Sequence, residues 1–297
     1  MTEFKFESFD GKPIHVYEWS DCAEPQGIIQ IAHGMGEYTG RFFNHAEFFE
    51  RNGFIVFSDD HRAHGKTDPD TLGYCAGDIF TDTLKDMAAL TRLYKNKYPG
   101  QKVILLGHSY GSFLAQAYLE RYCGYISGAV LSGSAYMKDL SLPFGYLVSK
   151  FSKSVKGGDA KADFIDKRTF QSYNKKFSAG TFISSVESEC FKHKDDIYCN
   201  YVCSYNLYHS FFKGLFKLYS KERLNAIDKN LPVFIISGKE DPIGKYSKSV
   251  LKLGRVYKNA GIKDVRVKIY DNARHEVFND ICREEALNDV LEFCKRV

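Results

Sequence analysis

The sequence predicts an α/β protein: a mostly parallel, doubly wound sheet carrying a helical insertion. Three observations lead there. Short continuous apolar runs, the mark of strands buried on both faces, alternate with segments of helical spacing. One strand-to-helix junction, Gly107-His108-Ser109-Tyr110-Gly111, sets glycines on either side of a serine. The alternation then breaks over about 134–230 and resumes. A strand–helix–strand rhythm argues for parallel βαβ units, and a break inside it argues for an insertion into one domain. The expected organisation is a core over 1–133 and 231–297 with the insertion over 134–230.

Taken in order, Phe4 and Phe6, then Ile14 to Trp19, alternate around Asp10-Gly11 and read as an antiparallel hairpin. Gly27 to Ala32 is an apolar strand ending in the glycine-rich His33-Gly34-Met35-Gly36-Glu37. Helical spacing covers Arg41 to Asn52 and stops at Gly53, a suitable residue just past a helix C-terminus. The strand Phe54 to Phe57 leads into Asp60-His-Arg-Ala-His-Gly65, whose polar groups suit the fixing of a turn. A helix from Thr81 to Lys97 ends before Pro99. Val103 to Leu106 is the strand before the serine, and Phe113, Leu114, Ala117 and Tyr118 begin the helix after it. Ile126 to Leu131 closes the first part of the core.

Inside the insertion, Phe144, Leu147, Val148, Phe151 and Val155 are helically spaced, with Lys150, Lys153 and Lys156 on the other side. This helix reads either as a lid wall packed on the core or as a basic amphipathic helix in peripheral contact with lipid aggregates. Tyr198, Tyr201, Tyr205, Tyr208, Phe212, Phe216 and Tyr219 form an aromatic stripe expected on one or two helices. The core resumes with a strand at Val233 to Ser237, a helix near Tyr246 to Asn259, a strand at Val265 to Tyr270 and a final helix from Asp280.

Composition removes several function classes. The chain has 41 basic and 37 acidic residues, a balance that argues against a nucleic-acid partner. No stretch approaches the eighteen apolar residues of a membrane span, and the N-terminus lacks an apolar signal-peptide core. Eight cysteines without an export signal read as reduced thiols, giving an expected cytoplasmic location. Cys199 and Cys203 lie near His193 and His209, but they offer no Cys-x-x-Cys pair of zinc type, so no metal is expected.

The chemistry centres on Ser109. A strand that turns abruptly into a helix leaves no room for side chains beside the central residue, hence the two glycines. That turn presents the hydroxyl at a helix N-terminus, where amides and the helix dipole favour developing negative charge. A serine needs a base, and the base needs an acid to hold its tautomer. Downstream of Ser109 stand His193, His209 and His275; the first two fall in the insertion, whereas His275 follows the strand ending at Tyr270. The acid should follow the preceding strand, where Glu240 and Asp241 compete. Asp241, next to Pro242 at the end of the turn, is the preferred candidate.

Read together, these blocks resemble the monoglyceride-lipase and lysophospholipase branch of the serine α/β-hydrolases. The resemblance rests on His33-Gly-Met-Gly-Glu37, Asp60-His-Arg-Ala-His-Gly65, Gly107-His-Ser-Tyr-Gly111, Ser237-Gly-Lys-Glu-Asp-Pro242 and Arg274-His-Glu276. It runs nearly end to end, with one departure: Ala63 stands where the family normally has glycine. It implies the α/β-hydrolase fold with a helical cap, a triad of Ser109, Asp241 and His275, and an oxyanion hole made by the Met35 and Tyr110 amides. It implies no organic cofactor. The aromatic stripe suggests Tyr205, Tyr208 and Phe212 as contacts for an apolar acyl or aryl group of a small ester or lipid, such as a monoacylglycerol or lysolipid. Two other readings stay open. One is an aminopeptidase or acyltransferase on the same triad, with Glu187, Glu189, Asp195 and Asp196 available to anchor an amine; the other is a non-catalytic receptor on the same scaffold.

Overall fold

A computed structural model describes residues 1–139, 141–177 and 181–297. Among the described residues the sheet has eight strands in the order β1-β2-β4-β3-β5-β6-β7-β8. β1 (Thr2–Glu7) and β2 (Pro13–Trp19) form the expected hairpin, and β2 also runs antiparallel to β4 (Phe54–Asp59). β3 (Gly27–Ala32), β5 (Val103–His108), β6 (Gly128–Ser132), β7 (Val233–Gly238) and β8 (Val265–Tyr270) continue from β4 in parallel. The sheet is mostly parallel and doubly wound, the α/β-hydrolase fold.

Its two faces explain the apolar runs. Ile28, Val103 and Leu105 face one core, shared with α2 (Ile79–Lys97), α3 (Tyr110–Tyr122) and α10 (Lys248–Asn259). Ile29, Ile31, Ile104 and Leu106 face the other, covered by α1 (Phe43–Arg51) and α11 (Arg283–Arg296). Adjacent strand residues point to opposite faces, so a strand covered on both sides must be apolar throughout. Parallel strands in such a sheet end on one edge, and β3, β5, β7 and β8 deliver there the loops carrying Met35, Ser109, Asp241 and His275.

Between β6 and β7 the chain runs through α4 (Ser141–Lys156), α5 (Asp163–Arg168), α6 (Phe170–Asn174), α7 (Glu187–Asp195), α8 (Tyr205–Phe216) and α9 (Lys221–Ala226). Hydrogen bonds tie this segment to the core. Asn206 Nδ2 donates to the Cys75 carbonyl at 2.6 Å, and the Tyr219 amide donates to Glu120 at 2.8 Å. Phe182 and Ile183 accept from the His275 and Glu276 amides at 3.2 and 2.8 Å. Gly214 of α8 lies so close to the Phe80 ring that a Cβ there would meet it at 2.3 Å, which lets α8 seat on α2.

Three sequence expectations change. The aromatic stripe is helical only over α8: Ser204 caps that helix, its hydroxyl accepting from the Leu207 amide at 3.2 Å, so Tyr198 and Tyr201 precede it in a loop. The helix expected from Tyr246 begins at Lys248, because Lys245, Tyr246 and Ser247 are all left-handed, with φ of 51°, 53° and 73°. The final helix begins at Arg283 after a 3₁₀ turn at Val277–Asn279. Among the described residues no helix is long and apolar enough to cross a membrane.

α4 also decides between the two readings of its apolar residues. Buried Leu142 and Ser149, with Gly145, face inward, and a Cβ on Gly145 would meet the α8 residue Phe212 at 2.8 Å. Phe144, Leu147, Phe151 and Val155 point out, 59%, 62%, 71% and 66% exposed. Val148 is half-buried. The apolar stripe is therefore not a core-facing wall. Nor is every lysine a free surface charge: Lys153 turns in to donate to Asn206 Oδ1 at 2.6 Å.

Candidate active site

Ser109 follows β5 with φ 51° and ψ −117°, a left-handed conformation rare for a residue with a side chain. The flanking glycines make it sterically allowed. A Cβ on Gly107 would meet the Gly111 carbonyl oxygen at 2.4 Å, and one on Gly111 would meet the Ala32 carbonyl oxygen at 2.1 Å. The Ser109 amide donates to the Ser132 carbonyl at 2.9 Å, and the Ser112 hydroxyl donates to the Ser109 carbonyl at 2.6 Å. With its backbone held on both sides, the Ser109 side chain stands at the first turn of α3, where free amides converge.

His275 and Asp241 come together although 34 positions separate them. Asp241 Oδ2 lies 2.9 Å from His275 Nδ1, and its Oδ1 accepts from the Ile243 amide at 2.8 Å. Asp241 is fully buried, while the competing Glu240 has a part-exposed side chain 3.9 Å from Arg274. Burial alone would push the imidazole down, but the Asp241 carboxylate outweighs it and His275 sits above its ordinary value. Gly133 makes room for the ring, since a Cβ there would meet His275 Cε1 at 2.8 Å.

The loop after β3 is held from both sides. The His61 amide donates to His33 Nε2 at 2.9 Å, so the proton of this buried ring is on Nδ1, which donates to the Gly34 carbonyl at 2.8 Å. Gly34 C=O and Met35 N–H share one trans peptide and point in opposite directions. His33 thereby turns the Met35 amide away from itself. The Gly34 amide is taken by the Glu37 carboxyl, and a Cβ on Gly34 would lie 3.1 Å from Ser109 Cβ. Burial, reinforced by the nearby Glu276 charge, pushes Glu37 up toward its neutral form. Glu276 is held low despite its burial, because Arg41 donates to it at 2.7 Å. Arg41 also lies 3.8 Å from Glu189, so it links α7 to the His275 loop.

Two cavities meet at Ser109. The larger, about 520 Å³, is lined by His275, Glu276, Glu37 and His193 together with Phe182 and Asn200. The smaller, about 80 Å³, is lined by Tyr110, Phe113, Tyr208, Phe211, Phe212 and Ile243. Met35, Ser109 and Phe170 belong to both walls.

Of the aromatic residues singled out in the sequence, Tyr208 and Phe212 reach the smaller cavity. Among the described residues, Tyr205 lines neither: as the first residue of α8 it packs with Ala162, Ile165 and Cys203 within the helical segment between β6 and β7, with the Lys156 ammonium 5.7 Å from its ring. Glu187 lines the larger cavity, whereas Glu189 faces Arg41 and Lys192. Cys199 and Cys203 are buried, and burial raises both thiols. Among the described residues no group of His, Cys, Asp and Glu is placed to hold a metal ion. His33, Arg41 and Phe170 were not singled out by pattern. His33 stood in a block quoted for its backbone, Arg41 only opened a helically spaced segment, and the short helix α6 that carries Phe170 leaves no periodic signal.

A serine at a strained strand-to-helix turn, with a histidine–carboxylate pair brought alongside by later strands, is the arrangement of a serine hydrolase on the α/β-hydrolase fold. The chain belongs to the Hydrolase_4 family, described as serine aminopeptidase, S33, whose model matches residues 23–281. A monoacylglycerol lipase of Mycolicibacterium smegmatis is 26% identical over 298 residues, covering 98% of this chain and 96% of that protein. The structure of a carboxyl esterase from Bacillus coagulans in complex with glycerol matches with a TM-score of 0.91 at 24% identity, over 100% of this chain and 98% of that one. A soluble variant of monoglyceride lipase from Saccharomyces cerevisiae, in complex with a substrate analog, matches with a TM-score of 0.76 at 21% identity, over 100% and 96%. These two structural likenesses are likenesses of fold.

Proposed function

We propose that the chain is a carboxylic ester hydrolase working by two-step acyl transfer, with Ser109 as nucleophile, His275 as base and Asp241 as the acid that orients it. The observation carrying this reading is the Asp241–His275 contact of 2.9 Å beside a serine that opens onto two largely apolar cavities. Ser109 Oγ attacks the ester carbonyl carbon while its proton passes to His275 Nε2. The oxygen, now an anion, accepts from the Met35 and Tyr110 amides, an interaction worth several kcal/mol in such sites. The tetrahedral centre collapses, its C–O bond to the alcohol breaks, and His275 returns the proton to the departing oxygen. Water then repeats the sequence on the acyl-enzyme and releases the carboxylic acid. Asp241 keeps the Nδ1–H in place and stabilises the transient imidazolium.

The substrate class is an ester with an apolar acyl group and a polar alcohol, of monoacylglycerol or lysolipid type. Its support is the aromatic wall of the smaller cavity, the larger cavity's mixed lining of apolar side chains with a few polar groups, and the lipase named among the relatives. The helical segment over 134–230 serves as a cap that supplies much of both walls. The exposed apolar face of α4, bordered by exposed Lys150 and Lys156, supports peripheral contact with lipid aggregates. A cytoplasmic location belongs to the same proposal and rests on the buried thiols of Cys190, Cys199, Cys203 and Cys294.

A hydrolysis panel tests the reading: monoacylglycerols, a lysophospholipid, aryl esters and an aminoacyl arylamide, each run with wild type and Ser109→Ala. Ester turnover that vanishes in the variant is expected. Cleavage of the arylamide with no ester turnover would replace this reading with a peptidase.

A further inference from the structure

Resting on the reading of His275 as the base, we propose that the helical segment between β6 and β7 holds that base in place through its stretch 181–185, with Arg274 and Asp280 as positioning residues. β8 ends at Tyr270, and His275 comes five residues later. The first part of the intervening loop is tied to the sheet: the Lys239 and Glu240 amides donate to the Tyr270 and Ala273 carbonyls at 2.8 and 2.9 Å. From Arg274 onward the partners change. The His275 and Glu276 amides donate to the Phe182 and Ile183 carbonyls at 3.2 and 2.8 Å. Both residues are buried past the end of the sheet, so their amides depend on these acceptors.

Two side chains of the loop reinforce this contact. Arg274 Nη1 donates to the Thr181 and Ser184 carbonyls at 2.8 and 3.0 Å, gripping the stretch near both ends. Buried Asp280 joins the two sides. Its Oδ2 accepts from the Arg274 amide at 2.7 Å and from the Ser185 amide at 3.1 Å, and its Oδ1 accepts from the Ser185 hydroxyl. These partners all donate, as an acceptor-only carboxylate requires, and such charge-assisted bonds are roughly twice as strong as neutral ones. The Ser184 hydroxyl adds a bond to the Asn279 carbonyl at 2.7 Å.

The imidazole itself is also touched. The Phe182 ring centre lies 5.5 Å from that of His275, and Phe182 is in turn stacked on Phe170 at 5.8 Å and met edge-on by Tyr173 at 5.6 Å. One hydrogen bond to Asp241 fixes Nδ1 but leaves the ring free to hinge about that bond; the backbone and Phe182 remove this freedom. A base displaced by about 1 Å loses up to about a hundredfold in rate. Thr181, Phe182 and Ile183 also line the larger cavity, so a substrate there touches the same stretch that carries the base. The charges facing His275 are Asp241 and Glu276, both of which raise it, while burial keeps the adjacent His108 neutral.

Kinetics on a soluble aryl ester and proton NMR of the intact protein test this together. Asp280→Asn should lower kcat about thirtyfold with KM nearly unchanged. Arg274→Lys keeps the charge but not the planar fork and should lower kcat about fivefold. In both, the kcat/KM limb should move to lower pH, because a base that slips from Asp241 loses the charge that raises it. The far-downfield resonance of the His275 Nδ1–H should shift or broaden in step. Asn206→Ala removes a different tie between the segment and the core, the 2.6 Å bond to the Cys75 carbonyl. It should lower stability in denaturant unfolding yet leave limb and resonance in place. If Asp280→Asn does not fold, Arg274→Lys decides alone. Folded variants with wild-type kcat, limb and resonance would overturn the proposal, as would an equal shift of the limb in Asn206→Ala. A wild type that hydrolyses no ester would instead overturn the reading of His275 as base, while the resonance still reports whether 181–185 holds the ring.

Discussion

The core of the sheet and the segment between β6 and β7 both reach Ser109, but they shape the site by different means. The core acts through backbone. It fixes a left-handed serine between two glycines that no Cβ could replace, and it brings Asp241 and His275 together from loops after neighbouring strands. Apart from its carbonyls at 181–184, the inserted segment acts through side chains. Its short helices carry Phe170, Tyr208, Phe211 and Phe212 to the cavity walls. The difference teaches where change is tolerated: substitution in the first region should strike turnover itself, and substitution in the second should alter what is turned over or where the enzyme works.

The largest effect is expected at the core's acid. Asp241→Asn should lower kcat by about four orders of magnitude, since the amide fixes the wrong histidine tautomer. Glu240→Gln should change little, because Glu240 is half-exposed beside Arg274. A pH profile adds a sign. Only neutral His275 can accept the serine proton, so kcat/KM should rise with pH and level off above the ordinary imidazole value of 6.5, to which Asp241 adds. In Asp241→Asn that limb should move to lower pH. Equal losses in the Asp241 and Glu240 variants would break the distinction drawn here.

A smaller effect belongs to the inserted segment. Wild type should bind anionic vesicles, and Lys150→Gln with Lys156→Gln should weaken binding about thirtyfold at low salt, while kcat on a soluble aryl ester stays put. Vesicle binding that is absent, or indifferent to these charges, would remove the lipid contact and leave α4 as a plain outer wall.

How much of this was legible in the sequence follows the same division. Strands buried on both faces leave continuous apolar runs, so β3 to β7 could be read directly, and Ser109, Asp241 and His275 fell at strand ends in chain order. The inserted segment gave spacing without direction. The α4 stripe could be read as a core-facing wall or as an outward amphipathic face, and it points outward, because Gly145 and Ser149 let the opposite face close on α8. Tyr205 and Tyr208 are three residues apart on α8, yet one packs inside the segment and the other lines a cavity. The left-handed run Lys245-Tyr246-Ser247 contains no glycine to announce it.

The smallest effect concerns Ala63, left-handed at φ 70° and fully buried. Glycine there would relieve about 1–2 kcal/mol of backbone strain. Against that stand a lost buried methyl, about 0.8 kcal/mol, and greater freedom of the unfolded chain, about 0.5–1 kcal/mol. The terms nearly cancel, so Ala63→Gly should shift stability by less than about 0.5 kcal/mol in denaturant unfolding. A loss several times larger would mean that the buried Ala63 methyl contributes more packing than a single methyl usually does.

The most direct measurement for the whole account is covalent labelling of the intact protein with a fluorophosphonate, read by mass spectrometry and peptide mapping. One adduct on Ser109 is expected, forming in step with loss of ester hydrolysis, slowed by orders of magnitude in Asp241→Asn and absent in Ser109→Ala. Labelling of another residue, or full hydrolytic activity with Ser109 blocked, would contradict the account.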